Sequence, residues 1–331
     1  MRTFPKFFPL KSGADLTDMN FPFHLPENKT FDVVGFGTNA VDFLIQVPAY
    51  PQFDSKVRLV DYAQAAGGEV ATTMAGLQRL GLRTSYVGRF GDDPPGDIGF
   101  DSLKNEGVDL SFAERIANCR TQIAFIVIDV RNGERTVIWD RDQKLGYAAG
   151  DVPLAAVADA KVLHLTPHDT EACVRLARSA RENGVIVSTD IDRRFDGIEE
   201  LLPLVDILLA SADFPPSITG RADHKDALKA LKDTFGCAIT GVTLGDRGSL
   251  VLGPDGFIET PAFAVPGGCK DTTGAGDSFR VGFLYGLLTG ASIEESCRMA
   301  NGVAALKCRA VGARTALPDA RTLQLLLDEN R

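Results

Sequence analysis

Four consecutive residues hold the densest chemistry in the chain: Gly274, Ala275 and Gly276, then Asp277, within the string DTTGAGDSF. The run DSFRVGFLYGLLTG that begins at Asp277 is apolar on most faces and reads as a largely buried helix stopped at Gly290. The first amides of such a helix lack internal partners and carry the positive end of its dipole. Residues this small also let a phosphate approach the backbone. A carboxylate in the first turn stands within reach of whatever attacks that phosphate and can take its proton. A plainer reading also stands, in which Asp277 caps the helix and the glycines make a turn.

Other patterns carry less. GFGTNA (35–40) nearly fits a dinucleotide fingerprint, but that motif needs a helix directly afterwards and VDFLIQVPAYP supplies none. No G-x-x-x-x-G-K-[ST] occurs, which removes a P-loop enzyme. His164 and His168 have the spacing of a helical metal pair. Pro167 intervenes, however, and a strand histidine followed by a loop histidine is the simpler reading. The six cysteines are scattered without a C-x-x-C pair, so reduced thiols in a cytoplasmic setting are expected.

These residues need elements to position them. FDVVGFG (31–37) reads as a buried strand opening the domain, and GEVATTMAGLQRLG (68–81) as a helix beginning just after Gly67-Gly68 and capped by Gly81. VDFLIQVPAYP and SKVRLVDYAQA suit exposed strands, and Asn132-Gly133 between two β-prone runs predicts a hairpin over 121–142. From residue 161 strands alternate with helices near 170–183 and 222–234, which implies a parallel sheet with covering helices. From Asp277 to Arg331 three helices are expected. Residues 1–29, rich in Phe and Pro, read as an extension wrapping the surface.

With 331 residues, 44% of them hydrophobic and 24% charged, the chain can bury a substantial core. Its net charge of −9 argues against holding nucleic acid or anionic lipid through an overall field, so local donors must meet any anionic ligand. No apolar run approaches a membrane span, and the first ten residues lack the apolar core of a signal peptide.

Taken whole, DTTGAGD resembles the second signature of the ribokinase-like, or PfkB, family of carbohydrate kinases. The similarity extends from about Phe31 to the C-terminus. GGEVATTMAGLQRLGLRTSYVGRFGDD is similar to the family's N-terminal signature, VTLGDRGS (242–249) to its nucleotide-binding turn, and ANGVAALKCRAVGARTALP to the helix and loop that close over adenine. The resemblance implies a three-layer α/β/α domain with a mostly parallel central sheet over 30–331. A small β-sheet lid, with strands near 43–64 and 121–142, would be inserted in it.

The resemblance also implies roles. Asp277 would be the general base on a sugar hydroxyl, with the Gly274, Ala275 and Gly276 amides as anion hole. Asp42 would bind two hydroxyls through its two acceptor oxygens, near Gly67, Gly68, Thr72 and Arg141. Thr243, Gly245, Gly248 and Asn301 would meet ATP, which brings Mg²⁺. Asp271 and Thr273, with carbonyls of Ala310 and Gly312, would hold K⁺, and potassium would raise activity. The competing reading of Asp271 is a loop acceptor for backbone amides.

Thr72 stands where many members carry a sugar-binding asparagine, with Glu69 nearby. Ser211-Ala212-Asp213-Phe214 replaces the common Asn-x-x-Glu tied to magnesium and is closer to the ketohexokinase-like branch. Lys56, Arg58, Arg135 and Arg141 offer cations that a neutral sugar does not need, although charge mixtures of this kind usually form a solvated face. Trp139 is either core of the lid or a platform for a sugar ring. The expected activity is therefore ATP-dependent phosphorylation of a primary hydroxyl on a fructose-like ketohexose, neutral or anionic, by a homodimer joined through the lid. The alternatives are a nucleoside kinase of the same family and a silent binding scaffold.

Overall fold

The structure is a computed structural model and describes residues 20–330; the expectation for residues 1–19 lies outside them. In chain order the strands are β1 (Phe31–Phe36), β2 (Ala40–Val47), β3 (Asp61–Gly67), β4 (Thr84–Val87), β5 (Arg89–Gly91), β6 (Glu114–Ile116) and β7 (Ile123–Asp129). They continue as β8 (Arg135–Asp140), β9 (Ala160–Leu165), β10 (Ile186–Ile191), β11 (Ile207–Ser211), β12 (Ile239–Thr243), β13 (Ser249–Leu252) and β14 (Phe257–Thr260). The first helices are α1 (Glu69–Arg79), α2 (Pro94–Glu106), α3 (Leu154–Ala158), α4 (Thr170–Glu182) and α5 (Ile198–Leu201). The rest are α6 (Phe214–Thr219), α7 (His224–Phe235), α8 (Ala275–Thr289), α9 (Ile293–Lys307) and α10 (Ala320–Glu329).

Eight strands form the central sheet in the order β14-β13-β12-β11-β10-β9-β1-β4. It is parallel from β4 through β12, and β13 and β14 run antiparallel at one edge. Helices cover both faces, which is why the inner strands read as continuous apolar runs rather than alternating ones. Val33 of β1 enters one core with Met74, Phe283 and Leu306, while the next residue, Val34, enters the other with Leu163, Leu176 and Leu231. Phe21 lies edge-on to Phe283 at 5.6 Å, and Phe21, Phe23 and Leu25 pack against the first core, so residues 20–29 lie along that helical layer.

A separate four-stranded sheet has the order β3-β2-β7-β8. The β7–β8 hairpin turns at Arg131-Asn132-Gly133, with Gly133 at φ 75°. Residues 48–60, expected as strand, form none. Pro48 and Pro51 break the donor ladder that a strand would need there. One face of the sheet carries Leu44, Ala124, Ile126 and Ile128, packed with Ala63, Ala65 and Val311. Trp139 pairs with Ala124 and so shares this face, yet is half exposed, which separates it from the core reading. The opposite face carries Phe43, with the rings of Tyr62 and Phe125 at 6.5 and 4.9 Å from it. Helix α2 was not anticipated, although Asp93 caps it by accepting from the Gly96 amide and Gly107 ends it in the left-handed conformation.

Candidate active site

The parallel strands all point their carboxyl ends to one edge of the sheet, where α/β folds of this type bind ligands. There the chain places Thr38 after β1, Asp190 and Asp192 at β10, Ser211 at β11, and Thr243 at β12, with the N-terminus of α8 alongside. Gly274 begins α8 in the left-handed conformation at φ 77°, and a β-carbon there would lie 2.8 Å from that of Ala313, so only glycine fits. The Ala275 amide is taken by the Thr272 carbonyl at 3.1 Å. Among the described residues the amides of Gly274, Gly276 and Asp277 have no acceptor, so the free donors are shifted by one from the expected three.

The Asp277 carboxylate has no hydrogen bond or ion pair among the described residues. Burial pushes it up to about 7, helped by the Asp190 and Asp42 carboxylates and opposed by Arg280 and Arg135. Arg280 was not foreseen. It is buried inside α8, donates to the Gly276 carbonyl at 2.9 Å and pairs with Asp190 at 2.6 Å. Glu69, at the start of α1, accepts from Thr38 Oγ1 at 3.1 Å. Burial, together with Asp190, Asp192 and Asp277, holds its carboxyl well above the usual range.

Asp42 lies on β2, opposite Ala65 and diagonal to Gly67. A β-carbon on Gly67 would lie 2.1 Å from Asp42 Oδ2, so the glycine makes room for the carboxylate. Five aspartates are buried among the described residues, and Asp42 alone has no hydrogen bond or ion pair. Burial pushes it up to about 6, moderated first by Arg314. Arg314 was also missed by sequence reasoning. Its guanidinium is buried and donates to Thr72 Oγ1 at 3.3 Å, Ser102 Oγ at 3.1 Å and the Gly67 carbonyl.

Several expectations need correction. Thr72 is fully buried and its hydroxyl accepts from Arg314, so it supports the pocket floor and presents no free ligand. Arg141 is bound through both terminal nitrogens to Asp169, at 3.0 and 2.9 Å, and is neutralised there. Arg135 is the hairpin arginine that reaches the DTTGAGD loop, donating to Thr272 Oγ1 at 2.8 Å. Lys56 and Arg58 sit exposed in the 48–60 segment.

Thr243, Gly245 and Gly248 do meet in one tight turn, closed by Gly248 N to the Gly245 carbonyl at 3.1 Å and Leu244 N to the Gly248 carbonyl at 2.8 Å. Asn301 is buried and spends its amide on Ser249 Oγ and the Thr260 carbonyl, at 3.1 and 3.2 Å, so it braces that wall instead of offering a donor to a base. His164 shares a hydrogen bond with Ser188 at 3.2 Å, while His168 Nδ1 faces Glu69 at 3.5 Å, so the two imidazoles serve different surroundings.

Of the oxygens expected to hold K⁺, those of Asp271 are already engaged. Asp271 Oδ1 accepts from Thr273 N and Oδ2 from Gly312 N, both at 2.8 Å, and its carbonyl accepts from Lys307 Nζ at 2.7 Å. Gly312 thus meets Asp271 through its amide. The Thr273 hydroxyl is buried without a partner, and the Ala310 and Gly312 carbonyls accept no hydrogen bond among the described residues. The Lys307 ammonium, 3.6 Å from Asp271 Oδ2, makes that carboxylate a poor partner for a second cation.

Free amides at a helix start beside an unpaired carboxylate, on a mostly parallel sheet with a small second sheet, match the arrangement expected of a ribokinase-like phosphotransferase. A ribokinase of Arabidopsis thaliana, solved with ribose and ATP, has the same fold at a TM-score of 0.75 and 24% identity, covering 90% of this chain and 98% of that one. The family model for pfkB family carbohydrate kinases matches residues 31–320, and the chain belongs to that family. An ATP-dependent ribose-1-phosphate kinase of Halopiger xanaduensis is 28% identical over 87% of this chain and 95% of that protein. An aminoimidazole riboside kinase of Salmonella typhimurium is 31% identical over 80% and 90%. The protein is a sugar or nucleoside kinase of this family. Among the described residues no helix is long and apolar enough to cross a membrane.

Proposed function

We propose that the protein transfers the γ-phosphoryl group of Mg-ATP to a primary hydroxyl of a fructose-like ketohexose, with Asp277 as general base and Asp42 as the sugar's hydroxyl acceptor. The observation that carries this is the pair of unpartnered carboxylates, Asp42 and Asp277, in a site whose other buried acids are satisfied. The free amides of Gly274, Gly276 and Asp277 would hold the developing charge on the phosphoryl group. The turn of Thr243, Gly245 and Gly248 would lie along the nucleotide. Mg²⁺ arriving on ATP would neutralise its phosphates.

Arg135 supports an anionic group on the sugar, since it is the one cation of the expected four that faces both Asp42 and Asp277. The Halopiger relative, named for a sugar phosphate, supports the same feature. The Salmonella relative instead favours a riboside, which is the second reading. Kinetics with fructose, an anionic fructose derivative, ribose, ribose 1-phosphate and adenosine, read by ADP release, separate them. The highest kcat/KM is expected for one of the two fructoses. A clear win for ribose, its phosphate or adenosine overturns the substrate, and no ADP release with any acceptor returns the chain to a binding scaffold.

With Asp277 held at about 7, kcat/KM should rise roughly tenfold per pH unit below that value and level above it, because only the ionised carboxylate accepts a proton. A profile that stays flat between about pH 5 and 8 would remove Asp277 as the titrating base. The exposed apolar face of the small sheet, with Tyr62, Phe125 and Ile138, supports a homodimer in which a second copy covers it.

A further inference from the structure

Lys307 ends α9 and is one of the largest fully buried side chains among the described residues. Taking an ammonium out of water is costly unless oxygens surround it. Here Nζ donates to the Asp271 carbonyl at 2.7 Å and stands 3.6 Å from Asp271 Oδ2. The same carboxylate binds the amides of Thr273 and Gly312, so one positive charge ties together the start of the DTTGAGD loop, the loop after α9 and the end of α9 itself. The second of these loops presses on Gly274 through Ala313. The geometry therefore controls where the free amides of Gly274 and Gly276 point.

We propose that the Lys307 ammonium is a built-in monovalent cation: covalently tethered, it fixes the Asp271–Gly276 loop as a bound potassium ion would, and makes the enzyme independent of added potassium. This rests on reading that loop as the phosphoryl cradle. Lys307 acts through the loop and touches no reacting atom, so it is a positioning residue.

The experiment replaces potassium by tetramethylammonium at constant ionic strength and follows both turnover and thermal melting. Wild-type protein should be indifferent in both readouts. Lys307→Ala, which leaves Asp271 unpaired beside a space, should lose roughly 100-fold in turnover through misplacement of the cradle. It should then recover both activity and Tm, saturably, with potassium but not with tetramethylammonium. Potassium activation of the wild type overturns the proposal, as does a folded Lys307→Ala protein whose Tm ignores potassium.

Should the alanine variant fail to fold, Lys307→Met fills the space without charge. It should fold with low turnover that potassium does not rescue; full activity in that variant is a refutation. The melting arm needs no substrate. A protein that phosphorylates nothing, yet whose Lys307→Ala variant is stabilised by potassium, would sink the kinase reading and leave this one standing.

Discussion

Asp277→Asn should fold, bind ATP and lose on the order of 10² to 10⁴ in turnover, the usual contribution of a positioned base. The amide has nearly the same shape but cannot accept the hydroxyl proton, while the free amides at the start of α8 are untouched. The loss should therefore fall on kcat and kcat/KM together, with the KM for ATP nearly constant. A stability measurement gives the opposite sign. The Asp277 carboxyl, pushed from 3.8 to about 7 by burial first and Asp190 second, binds its proton more tightly folded than unfolded. Its contribution to stability thus falls as pH rises from about 4 through about 7, and the neutral amide escapes that penalty. At pH 8 the variant should melt above the wild type. Near-normal turnover, or a lowered Tm with general loss of structure, would refute the assignment.

Asp42→Ala should act on the other substrate. A hydrogen bond to a charged group contributes about 1.5 to 3 kcal/mol, so a carboxylate accepting from two hydroxyls accounts for roughly 3 to 6 kcal/mol. At about 1.4 kcal/mol per decade, that is a fall of about 10² to 10⁴ in kcat/KM for the sugar. The KM for ATP should hardly move. Arg314 loses its main neighbouring carboxylate in this variant, so melting must be followed in parallel. Equal losses toward sugar and ATP, with a lowered Tm, would assign Asp42 to the framework instead.

Much of this molecule can be read along the chain because its signals are local. The alternation of apolar strands and amphipathic helices after residue 160 predicts β9 to β12 with α4 and α7 between them, and the Asn-Gly turn predicts the β7–β8 hairpin. Asp277 and its glycines are legible for the same reason. Helix α2 carried its caps in the sequence, but Gly96 and Gly99 thin its apolar face and hid it. The cations were harder. Arg280 interrupts the apolar run read as a buried helix and Lys307 ends the helix expected after it, and a buried charge demands a carboxylate partner. The demand was readable; the identity of the partner was not. Arg314 reaches Gly67 and Thr72 across most of the chain, and Arg141 finds Asp169, through contacts that only the fold creates.

The small sheet is assembled from two hairpin-like pieces that meet only where β2 runs parallel to β7, with Val41 opposite Ile123. Its apolar cluster meets the body of the protein through Val311, and α2 packs against β2 and β3. A sheet with so small a core of its own is expected to open more readily than the eight-stranded core. Asp42 rides on it, so such an opening would carry that acid away from the start of α8.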